Sequence, residues 1–206
     1  MVEVLVAPER TALINVDLQQ CFVDSTPDGP ELVSSINRLA AVCREAGILV
    51  IHTRHVLRRD GSNMGLLREI PKIRDGLLNQ GAESAAFHEA LVVDERDIVL
   101  DKPRFGAFYR TDLELTLRSR GIDTVIIAGI SAPVCCDTTA REAHARDLRV
   151  LFLRDGTATP GPDAAQLQQA AVEVLDGLFA RVVAIEDVLR RFAAAPDPMR
   201  SAYGVR

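Results

Sequence analysis

The chain has 206 residues and a mass of 22.5 kDa, enough for one large domain whose core needs no disulfide or metal. Hydrophobic residues make up 48% of the sequence and charged residues 26%, which is typical of a folded globular protein and excludes a disordered one. The formal net charge is −5 without a basic segment, so we expect no nucleic-acid partner, and no apolar run approaches the ~20 residues that a membrane span needs.

The order of apolar residues predicts strands and helices in alternation. Runs that are apolar throughout predict six buried strands, at residues 11–16, 48–53, 97–100, 124–128, 149–153 and 182–185. Helical spacing predicts helices at residues 31–46, 111–120, 134–146, 163–180 and 187–192. Such strands belong to a parallel sheet that is covered on both faces. We therefore predict an α/β fold, a three-layer α/β/α sandwich on a six-stranded, mostly parallel, Rossmann-like sheet.

Two stretches depart from this alternation. Residues 54–96 contain a polar, glycine-bearing segment, which we interpret as an excursion across the active-site face that is too short to be a domain. The tail at residues 193–206 carries prolines among small residues and is predicted to be loose unless a neighbouring subunit holds it. No repeat or linker divides the chain, so we predict one domain over residues 1–206, with its core at about residues 10–192.

The cysteines and the start of the sequence bear on the compartment. Four cysteines, two of them adjacent at Cys135 and Cys136, make a poor disulfide framework and are typical of reduced thiols. No charged-then-apolar leader opens the sequence, so secretion by a signal peptide is not expected. We expect a cytoplasmic protein.

Side chains with catalytic chemistry follow three of the predicted strands. Asp17 comes directly after the first strand, Lys102 follows the third, and Cys135 begins the helix after the fourth. Because ligands bind beyond the carboxyl ends of parallel strands, we expect the three to converge. A cysteine at a helix N-terminus near an ammonium group is expected to have a lowered thiol pKa. Asp17 can take the thiol proton, and Lys102 can hold the aspartate and stabilise negative charge.

Each of these residues also has an ordinary structural interpretation. A cysteine at the start of a helix is often buried filler, Asp17 can cap a helix, and Lys102 can be a surface charge. The aspartate and the lysine can also form an ion pair without a catalytic role. Spacing alone leaves the catalytic and the structural interpretations open.

Three segments in chain order favour the catalytic interpretation. The stretches TALINVDLQQCF, DKPRFGAFYRTDLELTLRSRGIDTVIIAGI and APVCCDTTAREAHARDLRVLFLRDGTA resemble the signature of the isochorismatase-like cysteine hydrolases. The chain is similar to their amidase-type branch, which holds nicotinamidases, N-carbamoylsarcosine amidases, and biuret and ureidoacrylate hydrolases. The resemblance implies a catalytic triad of Asp17, Lys102 and Cys135. It also implies a cis peptide at Ile130–Ser131 and an oxyanion hole formed by the amide nitrogens of Ser131 and Cys135.

The resemblance also selects between the two adjacent cysteines. The Thr-Ala pair that follows the family's cysteine by four and five positions is found here as Thr139 and Ala140, which makes Cys135 the predicted nucleophile. A shift of one residue along a helix turns a side chain by about 100°, so Cys136 is expected to face the core. Isochorismatases proper lack the cysteine, and its presence favours C–N bond hydrolysis through a thioester.

Several positions depart from the family pattern. The Asp-x-His metal motif of nicotinamidases is out of register here, and His52 and His55 alone are a weak metal signal, so we predict no metal and no cofactor. Ala132 and Pro133 precede the cysteine where Thr and an acidic or amide residue are frequent. Gly106 stands where serine is frequent and is expected to leave extra room.

Substrate contacts are predicted among aromatic and basic residues near these segments. Phe22, Phe105, Phe108 and Tyr109 are candidate apolar walls, and His55 is a candidate contact for a carboxylate or a ureido oxygen. Ordinary core packing and a solvated basic surface are the alternatives.

The sequence therefore predicts a cysteine-dependent hydrolase of a small linear amide or ureido (carbamoyl) compound. Two other hypotheses stay open. One is a catalytically idle member that serves as a binding or assembly subunit, with the Ala132-Pro133 pair as its support. The other is nicotinamidase-type activity. The resemblance also implies a homo-oligomer, a dimer or a tetramer.

Overall fold

The computed structural model describes residues 6–192, within which six strands form a single sheet. The strands are β1 (Thr11–Val16), β2 (Leu49–His55), β3 (Ile98–Lys102), β4 (Thr124–Ile130), β5 (Arg149–Ala158) and β6 (Arg181–Val183). Every pairing is parallel and the spatial order is β3-β2-β1-β4-β5-β6. The order reverses between β1 and β4, and the crevice at such a switch point is where ligands bind in open parallel sheets.

Helices cover both faces of this sheet. Within the described residues they are α1 (Gln20–Val23), α2 (Gly29–Glu45), α3 (Pro71–Arg74), α4 (Leu113–Ser119), α5 (Asp137–His144), α6 (Ala164–Leu175) and α7 (Ile185–Phe192). One apolar core lies between the sheet and α4, α5 and α6, and a second lies between the sheet and α2 and α7. Neighbouring β1 residues face opposite cores, Ile14 the first and Leu13 the second. The predicted three-layer α/β/α sandwich is confirmed.

Several element boundaries differ from the predictions. α6 ends at Leu175 instead of residue 180, because Gly177 adopts φ +75° and Asp176 pairs with Ala180 in a tight turn. β5 continues to residue 158, and α7 begins at residue 185 instead of 187. The helix predicted over residues 134–146 is a π-helical turn, Ala132–Cys136, followed by α5.

The excursion between β2 and β3 packs around a small apolar cluster of its own. It contains α3 and two short 3-10 turns, Gly65–Glu69 and Glu83–Ala85. Phe22 and Phe105 pack against this cluster. Its buried members are Leu57, Met64, Leu67, Ile73 and Leu78. The excursion thereby forms a wall beside the carboxyl ends of the strands.

Three further observations complete the fold. The four cysteines are free thiols. None of the helices within residues 6–192 is both long enough and apolar enough to span a membrane. The predicted tail at residues 193–206 lies outside the described residues.

Candidate active site

A buried ion pair joins the ends of β1 and β3. Lys102 Nζ lies 2.7 Å from Asp17 Oδ2, and both side chains are 0% exposed. The ammonium also donates to the carbonyl oxygens of Arg104 and Phe105, at 2.9 and 2.8 Å. Burial acts to lower the pKa of Lys102, but the attraction of its anionic neighbours, led by the Asp17 carboxylate, together outweighs burial and raises the pKa. The lysine is therefore a fixed positive charge and not a proton donor.

Thr53 on β2 fixes the orientation of Asp17. Its hydroxyl donates to Asp17 Oδ1 at 2.7 Å, and its carbonyl oxygen accepts from the Asp17 amide at 3.2 Å. Asp17 needs this support because its φ of +51° lies in the left-handed region, which is strained for a residue with a Cβ. One carboxylate oxygen thus contacts Thr53 and the other contacts Lys102.

Cys135 lies in the π-helical turn that directly follows β4. The peptide between Ile130 and Ser131 is cis, at the position that the resemblance implies. The Cys136 amide donates to the Ser131 carbonyl oxygen at 3.0 Å, and the Ser131 amide faces the sulfur of Cys135. Pro133 lies in the first half of this turn, where backbone N–H groups have no partner within the helix, so the turn does not need the N–H that proline lacks. The Ala132-Pro133 pair is therefore compatible with the local geometry.

A glycine allows β4 to pass close to β1 just before the turn. The pairing of β4 with β5 shifts register between Ile127 and Gly129, and Gly129 adopts φ +119°. A Cβ on Gly129 would collide with the backbone oxygen of Val16, the residue that precedes Asp17. The glycine therefore permits the approach that brings the cysteine turn beside the aspartate.

Burial raises the pKa of the Cys135 thiol to about 12, although the Lys102 ammonium acts to lower it. The expectation of a lowered thiol pKa was wrong. It assumed a partly solvated helix N-terminus, whereas Cys135 lies in a π turn with only 5% of its surface exposed. The resting group is a protonated thiol hydrogen-bonded to Asp17. The carboxylate is thus in position to take the proton when the sulfur attacks.

The two adjacent cysteines differ in their surroundings. Cys135 lines an open cavity, whereas Cys136 is 0% exposed within the apolar core. Burial raises the pKa of the Cys136 thiol well above its usual value. The structure thus places Cys136 where the sequence predicted it, in the core.

His55 lies beside the aspartate and the thiol with one ring nitrogen unused. Burial, and after it the positive charge of Lys102, lowers the pKa of His55 to about 4, so the ring is neutral. The Pro103 carbonyl oxygen accepts a hydrogen bond from the ring, while Nε2 is buried and has no partner. Nε2 is therefore a hydrogen-bond acceptor without a donor. The ring also packs edge-on against Phe105, with centroids 5.7 Å apart.

The same neighbourhood contains ligand types that bind transition metals. The carboxylate of Asp17, a ring nitrogen of His55 and the sulfur of Cys135 lie within 4.8 Å of one another. His52 is not part of this group. Its Nε2 contacts Asp97 Oδ2 at 3.0 Å, and Asp97 also forms an ion pair with Arg44 at 2.6 Å. The two histidines are three residues apart on a strand and so face opposite sides of the sheet.

A cavity of about 350 Å³ opens onto Cys135, at the small end of the range for small-molecule sites. Three predicted substrate contacts, Phe22, His55 and Phe105, line it together with Ser131. The excursion contributes the facing wall, which the sequence could not assign. That wall consists of Ile70, Lys72, Ile73, Leu77 and Leu78.

Three predictions about this region were wrong. Tyr109 lies outside the cavity, 47% exposed in a separate cleft, with the guanidinium groups of Arg104 and Arg110 each 5.9 Å from its ring centre. The loop after β3 is irregular, so sequence spacing does not determine which aromatic side chain faces inward. Gly106 leaves no extra room, because a Cβ there would collide with the Glu142 carboxylate. Phe108 is buried in the core and does not line the cavity.

Residues 11–187 match a family model described as an isochorismatase domain. The chain belongs to the isochorismatase family. It is 32% identical over 196 residues to a ureidoacrylate amidohydrolase RutB of Methylorubrum extorquens, covering 83% of this chain and 78% of that protein. A RutB of Methylobacterium radiotolerans is 31% identical over 215 residues, covering 92% and 83%. These relatives confirm the prediction of a hydrolase that acts on non-peptide C–N bonds.

Solved structures of isochorismatase-family proteins agree with the fold. A cysteine hydrolase from Pseudomonas syringae pv. phaseolicola 1448A superposes with a TM-score of 0.86 at 31% identity, covering 98% of this chain and all of the other. An isochorismatase family protein from Burkholderia thailandensis gives a TM-score of 0.80 at 27% identity, covering 90% and 97%. The predicted family and fold are therefore confirmed.

Proposed function

We propose that this protein hydrolyses a C–N bond of a small ureido compound through a thioester on Cys135. The observation that carries this proposal is the buried Asp17–Lys102 ion pair beside a thiol on the wall of a small cavity. The RutB relatives, which are named for ureidoacrylate, support the ureido class of substrate.

Asp17 and Cys135 would exchange one proton in each half of the reaction. As the sulfur bonds to the substrate carbonyl carbon, its proton passes to the Asp17 carboxylate. Asp17 returns this proton to the leaving nitrogen when the C–N bond breaks, which releases ammonia or an amine. Asp17 then takes a proton from water as the water oxygen attacks the thioester, and the thiol regains a proton as the C–S bond breaks. The net reaction consumes one water, and the enzyme returns to its starting state.

Two further groups would stabilise charge during these steps. The amide nitrogens of Ser131 and Cys135 are proposed to bind the oxyanion, a role supported by the Ser131 amide that faces the sulfur. Lys102 would hold Asp17 in place and offset the negative charge that moves between carboxylate, sulfur and substrate oxygen.

His55 supports the choice of a nitrogen-bearing substrate. Its buried Nε2 accepts hydrogen bonds and has no donor in the protein. A ureido group carries N–H groups that can donate a hydrogen bond to this nitrogen, whereas an ester or a vinyl ether carries no such donor at that position. We therefore propose that His55 accepts a hydrogen bond from a substrate N–H group.

Broader properties from the sequence belong to the same proposal. We propose a single domain, a cytoplasmic location and a homo-oligomer, a dimer or tetramer. Large apolar side chains that are exposed in the single chain support subunit contacts, among them Leu66 at 80% and Leu115 at 70%. The idle-subunit hypothesis rested on Ala132 and Pro133, which fit the π turn without disturbing it.

Ammonia release from a panel of small ureides and amides tests the function. The panel contains N-carbamoyl amino acids, biuret, maleamate and nicotinamide, with and without EDTA. We expect turnover of ureido compounds by the wild type, its loss in Cys135→Ala, and its survival in Cys136→Ala, which removes a neighbouring thiol away from the cavity. Mass spectrometry of a quenched reaction should detect an acyl adduct on the cysteine. A Cys135→Ala protein with full turnover would overturn the thioester mechanism.

A further inference from the structure

The cavity beside Cys135 has an uneven distribution of charge. Among the described residues that line it, Lys72 is the one with a full charge, since His55 is neutral and the rest are apolar or uncharged. No carboxylate contributes to the described walls. A molecule that fills this cavity therefore meets one positive charge on the excursion wall and apolar surface elsewhere.

The side chain of Lys72 has no polar partner among the described residues. It lies on the short helix α3, is exposed, and makes no side-chain hydrogen bond or ion pair within residues 6–192. Arg74 on the same helix differs in both respects, because it pairs with Asp75 at 3.1 Å and does not line the cavity. An unpaired ammonium at an otherwise apolar cavity is suited to bind a ligand anion.

We propose that Lys72 binds a carboxylate of the substrate, which makes the substrate a ureido acid and not a neutral ureide. This inference rests on the proposed function. The ureido group lies at Cys135 and His55, and a short apolar spacer packs against Phe22 and Phe105. The carboxylate lies at the excursion wall. Because the chain as a whole carries a charge of −5, a local cation also offsets the repulsion that an anionic substrate meets on approach.

Two matched ureides separate the charge from the shape of the substrate. The first is 3-ureidopropionate, and the second is 3-methylbutylurea, in which an isopropyl group replaces the carboxylate. Each is assayed by ammonia release with the wild type, Lys72→Met and Arg74→Met. The arginine variant removes the same charge from the same helix, but away from the cavity.

We expect Lys72→Met to raise KM for 3-ureidopropionate by about 10- to 100-fold, the range of one hydrogen bond to a charged group, with little change in kcat. The same variant should leave the kinetics with 3-methylbutylurea unchanged, and Arg74→Met should match the wild type with both compounds. Added salt should weaken the wild-type preference for the acid, because a partly exposed charge is screened. Equal use of both ureides by the wild type would overturn the role of Lys72 while leaving the proposed function intact.

A second measurement does not depend on turnover. Bound ligand should slow the alkylation of Cys135 by iodoacetamide, which peptide mass spectrometry can follow at this one cysteine. We expect 3-ureidopropionate to protect the wild type at a concentration about 10- to 100-fold lower than it needs in Lys72→Met. If the wild type turns over neither ureide but shows this difference in protection, the proposed function fails and the carboxylate site stands. Equal protection in the two proteins refutes the carboxylate site.

Discussion

Replacement of Lys102 by methionine tests the energetics of the buried ion pair. The substitution keeps the length of the side chain and removes the ammonium, so the fully buried Asp17 carboxylate is left with neutral side-chain partners, the hydroxyl of Thr53 and the thiol of Cys135. Breaking a buried pair in this way costs about 3–5 kcal/mol. The carbonyl oxygens of Arg104 and Phe105 lose a donor as well. At about 2–4 °C per kcal/mol for a chain of this size, the expected fall in Tm is roughly 6–20 °C.

Urea denaturation followed by circular dichroism measures this loss, and a second variant separates charge from packing. Asp17→Asn with Lys102→Met removes both charges and should regain about half of the lost free energy of unfolding, because no bare carboxylate stays buried. It should not regain all of it, since the two carbonyl oxygens still lack their donor. A Lys102→Met protein with the wild-type urea midpoint, or a double variant less stable than the single one, would refute this account of the pair.

Three more outcomes are expected. Gly129→Ala should lower Tm far more than Gly121→Ala in differential scanning fluorimetry, because both have positive φ but the space around Gly121 is open. Asp97→Asn should cost about 3–5 kcal/mol at pH 7, because it leaves the buried Arg44 without its anion. Burial acts to raise the pKa of Asp97, but hydrogen bonds led by Arg44 outweigh it and lower the pKa below 3.8. The Asp97–Arg44 pair therefore contributes its full stabilisation above pH 3.8, and this stabilisation shrinks as the pH falls further. Urea titrations at pH 7 and pH 3 can compare the two conditions. Alkylation of Cys135 should still accelerate above pH 9, since its pKa is about 12, and a plateau near pH 8 would contradict this.

The fold could be predicted because its two central strands, β1 and β4, are buried along their whole length. All six residues of β1 are buried, so the sequence from Thr11 to Val16 contains no polar interruption apart from Asn15 and the first threonine. A glycine with positive φ, Gly47, ends α2 at the predicted place. Parallel strands also share one carboxyl edge, which is why Asp17 and Lys102 could be placed together from spacing alone.

The predictions that were wrong concern irregular backbone and properties that depend on burial. Nothing in the sequence distinguishes a π turn before α5 from the first turn of a longer helix, and the thiol pKa follows from the surroundings of that turn. The loop after β3 has no periodicity, so the sequence did not indicate whether Phe105 or Tyr109 lines the cavity. Thr53 and Lys72 carry no local signal, because a threonine is common in strands and a lysine is common on surfaces.

The strand order also determines when during folding an active centre can exist. β1 pairs with β4, so Thr11 lies opposite Thr124. β2 lies between β1 and β3, so Lys102 at the end of β3 contacts Asp17 across the width of β2. The parts of this centre are far apart in the chain and near in space, and such non-local pairings form slowly. Fragments that end before residue 135 lack the thiol, and those that begin after residue 17 lack the carboxylate. The rate at which turnover recovers during refolding would therefore report when the complete sheet forms, and not when any single helix or strand forms.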